Sequence, residues 1–134
     1  DIKVDDAGGT LGSALTIITS VELNIDNALN PTFVVGESSA PQLEYGMANV
    51  SGSITAYFED ATLINRFLNE TETEIEVSVD DPTGSNPYTF FIPKAKIKSA
   101  DVPVDGPASR IITMEFVGLY DSTESSNLTI TRTS

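Results

Sequence analysis

From Leu15 the chain alternates. Leu15, Ile17, Thr19, Val21, Leu23 and Ile25 share one parity, and Thr16, Ser20, Glu22, Asn24 and Asp26 share the other. A period of two over this length predicts a half-buried β-strand, in which only Ile18 breaks the polar face. Asn27 to Pro31 is turn chemistry, and a short strand over Thr32–Val35 is expected before Gly36 ends it. Met47 to Phe58 alternates again, with Val50, Gly52, Ile54, Ala56 and Phe58 on one face. The small residues Gly52 and Ala56 predict that something packs closely over that face. Thr73–Asp80 and Tyr88–Lys98 form the best hairpin pattern, joined by a connection dense in turn formers. Ile75, Val77 and Val79 are expected to face in on the first strand, with Glu72, Glu74, Glu76 and Asp80 facing out. On the second strand Phe90 and Ile92 have the opposite parity to Ala95 and Ile97. A bulge near Pro93 repairs that register, because proline cannot donate to a ladder. Arg110–Tyr120 is apolar on both faces, which predicts a central strand or an intersubunit seam. A last strand is expected at Leu128–Thr133.

One segment has the helical period. Asp60 is a good N-cap, and Leu63, Ile64, Phe67 and Leu68 make one apolar stripe, predicting a helix at about 60–69. Residues 1–14 (DIKVDDAGGTLGSA) are acidic and glycine-rich, and read as a flexible leader or linker ahead of a single domain at 15–134. The chain begins at Asp1 without an initiator methionine, as expected of a trimmed start or of a piece of a longer protein. The expected fold is mainly β: an antiparallel sandwich or barrel of about six or seven strands with one helix.

Composition narrows the chemistry. In 134 residues there is no Cys, no His and no Trp. Disulfides, thiolate and imidazole metal sites, and cysteine or histidine catalysis are therefore excluded. Seven basic residues against 20 acidic ones give a net charge of −13, so a grip on a phosphate backbone is not expected. The mean hydropathy of −0.03 and 40% hydrophobic content describe a globular chain, and no apolar run approaches the ~18 residues of a membrane span.

The carboxylate pairs Asp5-Asp6, Glu59-Asp60 and Asp80-Asp81 are adjacent in sequence. On a strand such neighbours point opposite ways and do not converge on one substrate. Oxygen ligands around Asp80, Asp81 and Asn86 lack calcium-loop spacing and read as solvated turn polarity. The glycines of residues 7–12 neither follow a strand nor end in Lys-Ser/Thr, so they form no phosphate loop. No catalytic residue, cofactor or metal is expected. The one notable charge pattern is the ladder Lys94, Lys96 and Lys98. It suits cross-strand pairing with Glu72, Glu74 and Glu76, or a docking edge for an acidic patch on another copy. Leu43 and Tyr45 in the loop Glu37–Gly46, and Val102 and Val104 in the loop Ser99–Ser109, are apolar residues in polar settings. Together with the three lysines they are the candidate subunit interface.

Residues 50–60 (VSGSITAYFED), followed by Leu63 and Arg66-Phe67-Leu68, resemble the tail tube proteins of long, non-contractile-tailed bacteriophages. Asn30-Pro31 to Gly36, then Gly46, is similar to the stretch before that family's glycine-containing strand. Pro93 to Ile97, the loop from Ser99 to Val104, and Met114 through Asp121 resemble its C-terminal portion. The resemblance covers about 15–134 and carries no catalytic motif. It implies a β-sandwich with a flanking helix, whose copies form hexameric rings stacked as a tube for the genome. Some family members contain two such domains, and this chain looks like the C-terminal one. The implied partners are copies of itself and other tail proteins, with DNA passing unbound and no membrane. The implied place is the virion, after synthesis in the host cytoplasm. An immunoglobulin-like decoration or adhesion domain is the alternative, which the predicted helix disfavours. A glycosidase would need two carboxylates at ~5–10 Å, and nothing in the sequence places such a pair.

Overall fold

The computed structural model describes residues 1–8, 11–12, 17–32, 35, 42–45, 48–57, 65, 68–80, 86–101 and 111–133, with backbone alone for 29–32 and 42–45. Nine strands lie within them: β1 (Ile2–Asp6), β2 (Ile18–Asp26), β3 (Leu29–Thr32), β4 (Gln42–Tyr45), β5 (Asn49–Tyr57), β6 (Thr73–Val79), β7 (Tyr88–Asp101), β8 (Ile111–Gly118) and β9 (Thr129–Arg132). Seven of them make one antiparallel sheet in the order β1-β6-β7-β8-β5-β2, with β9 on β7. The sheet is open, because β1 and β2 end the path without pairing. β3 and β4 form a separate two-stranded sheet.

β7 is the hinge of this architecture. Its first half, Tyr88 to Ile92, lies between β6 and β9, and its second half, Ala95 to Asp101, pairs with β8. Between the halves, Thr73 and Ile75 of β6 face Ala95 and Ile92, so β7 holds one extra residue across Pro93 and Lys94. The bulge expected from the parity conflict is there. It turns Ile92 and Ala95 onto the same side, where both are buried. A second extra residue, Lys98, falls between Ile97 and Ser99 opposite β8.

Val50, Ile54, Ala56, Ile75, Ile92, Ala95, Ile97, Ile112, Met114 and Phe116 form one buried cluster. It draws on both halves of the bent sheet, so they share one core. β8 contributes three of these residues and is central, as its doubly apolar pattern predicts. The close packing predicted over Gly52 is made by Phe116, its partner in register on β8. A Cβ at Gly52 would stand 2.7 Å from Phe116 Cζ and collide with the Glu22 carbonyl oxygen. In β2 an irregularity at Thr19 lets Ile18 pair with Ala56 while Val21 pairs with Ile54. Ile18, which breaks the alternation, thereby packs against the core, and Thr19 turns its hydroxyl to Thr55 O at 3.0 Å.

Several expectations change. Ile2–Asp6, read as leader, pairs with β6 in the register Ile2↔Val77 and Val4↔Ile75. Two apolar residues on one parity are too short a signal to separate from a linker, and the partner strand lies some seventy residues away. A strand runs over Leu29–Thr32, where turn chemistry was expected, while Phe33 and Val34 of the strand expected at Thr32–Val35 lie outside the described residues, and the loop expected at Glu37–Gly46 contains β4. Most of the predicted helix lies outside the described residues. Asn65 and Leu68 are helical, and Asn69 N–H donates to Asn65 O at 2.9 Å. Glu70 follows in the left-handed region at φ 51°, the usual way for a helical turn to stop. Leu68 is not the core residue expected of the stripe, being 66% exposed. Val79, expected inward, is exposed, and Glu74, expected outward, is buried.

Candidate functional site

The lysine ladder is mostly consumed within the chain. Lys94 Nζ lies 3.0 Å from Glu72 Oε2 and 4.0 Å from Asp121 Oδ2. Lys96 Nζ donates to Glu70 Oε2 at 2.7 Å, and this contact holds the Glu70 carboxyl below its ordinary pKa. Glu76 is taken by Lys3, at 2.7 Å. Lys98 sits in the second bulge, exposed, in a groove of about 330 Å³ with Glu22, Asn24, Ser51, Ser53 and Glu115. Ion pairing within the chain therefore accounts for Lys94 and Lys96, but with Glu72 and Glu70, which precede β6, rather than across the strands with all three expected glutamates. Leu43 and Tyr45 lie on β4, in register with Pro31 and Leu29. Val102 and Val104 lie outside the described residues.

Glu74 is 4% exposed, although it stands on the outward side of β6. Directly across the ladder is Asp5. Gly8 N–H donates to the Glu74 carboxylate, while Oε1 is a buried side-chain atom without a partner among the described residues. Burial first, then the charges of Asp5, Glu76 and Asp6, push the Glu74 carboxyl above its ordinary pKa. The flanking residues are tied to the same strands: Ala7 N–H donates to Glu72 O, and Gly12 N–H to Asp5 Oδ2. Asp121 on the neighbouring turn shifts the other way. Glu124 N–H, Thr123 N–H and Lys94 hold its carboxyl below the usual range. Among the described residues no three acidic side chains are grouped to hold a metal, and no helix is long and apolar enough to cross a membrane.

Two surfaces contrast in chemistry. At the far end of the β6–β7–β9 ladder the inward parity outruns the core. Val79 pairs with Tyr88, and Phe90 with Ile130. Val79, Tyr88 and Ile130 are 53%, 44% and 54% exposed. The Arg132 guanidinium lies 5.7 Å from the centre of the Tyr88 ring, capping this apolar end. The sequence shows the alternation of these residues but not where the covering core ends.

The second surface is the outward side of β2–β5–β8 and the second half of β7. Its rows in register are Ser20–Thr55–Thr113–Asp101 and Glu22–Ser53–Glu115–Ser99. Every residue in them is a hydroxyl or a carboxylate. The next row toward one end, Tyr57 opposite Ile111, is apolar.

The family described as phage tail tube protein matches the chain over residues 4–118. No curated protein matches it. Among solved structures, the chain is similar to one from the tail of an empty gene transfer agent particle, refined with C6 symmetry. The TM-score is 0.64 at 12% identity, covering 99% of this chain and 96% of that one. It is also similar to the SPP1 tail tube, with TM-score 0.61 at 16% identity over 87% and 72% of the two chains. A third likeness is to the cap of the anti-feeding prophage tube, with TM-score 0.56 at 13% identity over 98% and 88%. At these identities the structures share the fold.

Proposed function

Because the chain belongs to the phage tail tube protein family, we propose that it is a non-catalytic building unit whose copies close into hexameric rings and stack into a tube. DNA passes through that tube without being gripped. The tube is part of the virion, is made in the host cytoplasm, and meets other tail proteins at its ends. The sixfold symmetry of the gene transfer agent tail supports the ring number.

The observation that carries this reading is the apolar end formed by Val79, Tyr88 and Ile130. Three large side chains about half exposed on adjacent strands are a poor surface for a solitary domain and a good one for a neighbour. Leu43 and Tyr45 of β4, with Val102 and Val104, are proposed as further contact residues between copies.

Ile130→Asp in the full-length protein tests this. β9 is an edge strand exposed along its whole length, so the charge can be solvated in the monomer. The variant is expected to keep its β circular dichroism and lose rings and tubes in negative-stain images. Unchanged tubes refute the contact, and a wild-type protein that stays monomeric refutes the tube.

A further inference from the structure

We propose that β1 is a proton-controlled strap, docked on β6 while Glu74 is protonated and released when Glu74 ionises. Asp5 of β1 is the register partner of Glu74. Residues directly opposite in a ladder hold their Cβ atoms about 4.5–5.5 Å apart on one side of the sheet, and like charges placed there oppose the pairing. Glu74 is buried, and its Oε1 has no partner among the described residues. Gly8, whose backbone lies in the left-handed region at φ 78°, donates its N–H to the carboxylate. One donor for two oxygens leaves an ionised carboxylate under-solvated in this position.

The charges that bear on Glu74 have its own sign: Asp5 and Asp6 on β1, and Glu76 on β6. Lys3 offsets Glu76 at 2.7 Å, and Asp5 accepts hydrogen bonds from Asp6 N–H and Gly12 N–H. Beside Glu74 is a cavity of about 290 Å³, lined by Gly8, Phe91, Pro93, Asp121, Thr123 and Glu124. Lys94 lies 3.0 Å from Glu72 and reaches the Asp121 carboxylate only at 4.0 Å. An ionised Glu74 that turned into this cavity would meet two further carboxylates.

β1 is the element that can yield. It ends the path of the sheet beside β6 and is five residues long. Val4 packs against the core, and the ends are tied by Ser78 N–H to Asp1 O at 2.8 Å and Ala7 N–H to Glu72 O at 2.9 Å. Short edge elements of this kind open locally at a lower free energy than the sheet centre. Release brings Glu74 into water, takes it away from Asp5 and Asp6, and leaves the β6 edge unpaired. In the docked state burial outweighs the Gly8 bond and, with the like charges, holds the Glu74 carboxyl above its ordinary pKa. In the released state the carboxyl returns to the ordinary value. The docked state therefore binds the proton more tightly. Release grows by up to tenfold per pH unit between the two values and levels off above the docked one.

Hydrogen exchange of the full chain, diluted until light scattering shows a monomer, tests this. Mass spectrometry reads peptides covering β1 and, as reference, the central β8, with each rate corrected for the intrinsic effect of pH. From about pH 5 to about pH 8 the protection of β1 is expected to fall, by as much as tenfold per unit, and to stay below that of β8 throughout. Glu74→Gln, which cannot ionise, is expected to hold β1 with a protection that does not change over this range. Asp5→Asn removes the opposing carboxylate and is expected to show a smaller fall than wild type. Wild-type protection that is constant with pH overturns the proposal, because the state of Glu74 then does not move β1. Protection of β1 equal to that of β8 at every pH also overturns it, because the strand then leaves only when the whole chain unfolds. A fall that persists in Glu74→Gln belongs to another group and has the same consequence. If circular dichroism shows that Glu74→Gln does not fold, Asp5→Asn decides, and a fall as large as that of wild type refutes the strap.

Discussion

Replacing Gly52 by alanine sets two effects against each other. In an unstrained strand position the change stabilises by about 0.4–1 kcal/mol, chiefly by restricting the unfolded chain. At Gly52 the new methyl meets the Glu22 carbonyl oxygen and stands 2.7 Å from Phe116 Cζ. The ring can tilt, but the carbonyl belongs to the ladder between β2 and β5, where Leu23 is the register partner of Gly52. Overpacking of this kind costs about 1–3 kcal/mol, so strain wins and net destabilisation of about 1–2 kcal/mol is expected. Gly118 provides the internal comparison. A Cβ there lies 3.0 Å from Val50 Cβ and 3.4 Å from Asn127 O, tight but short of collision. Urea unfolding followed by circular dichroism should rank wild type above Gly118→Ala above Gly52→Ala. Combining Gly52→Ala with Phe116→Leu should recover only part of the loss, because the carbonyl collision remains. A Gly52→Ala protein as stable as wild type would refute the close approach of β2 to β5.

Glu74 predicts a pH dependence opposite to that of a paired carboxylate. Its folded pKa lies above the ordinary value, so the native state holds the proton longer than the unfolded chain. The resulting stability is complete below the unfolded pKa and is lost as pH rises through the folded one. Glu74→Gln should remove that loss, and the stability difference between variant and wild type should grow with pH in unfolding curves taken from pH 4 upward. A constant difference would refute it. Met114→Ala, at a buried site 2% exposed on the central strand, should cost about 2–5 kcal/mol in the same assay. A loss under 1 kcal/mol would mean that the halves of the sheet do not share this core.

Local conflicts in the sequence proved as informative as its regularities. The parity break at Pro93 marked the bulge, and Ile18 marked the irregularity at Thr19, because each sits where an extra residue restores burial. Non-local facts stayed hidden. Nothing near Glu74 says that Asp5 will face it or that Gly8 will reach it. The same holds for the candidate site. The lysine ladder was visible as a pattern, but which glutamates would reach Lys94 and Lys96 depended on a helical turn ending at Glu70 and a bulge shifting β7. Val79, Tyr88 and Ile130 alternate like core residues, and only the shape of the folded sheet leaves them uncovered.

The two kinds of contact surface on this chain respond to salt in opposite directions. If copies were joined by Lys98 and its neighbours meeting acidic patches, added salt would screen the attraction and dissolve the tube. If they are joined through the apolar end at Val79, Tyr88 and Ile130, salt removes only repulsion. That repulsion is large, because each copy brings a net charge of −13, and Lys3, Lys94 and Lys96 are already bound within their own chain. The Debye length falls from about 10 Å at 0.1 M to about 3 Å at 1 M, so carboxylates on adjacent copies cease to oppose each other over that range. Assembly followed by light scattering should therefore strengthen with sodium chloride up to 1 M, and the critical concentration should fall. Tubes that dissolve as salt rises would transfer the contact to the lysine edge and leave the apolar end without its neighbour.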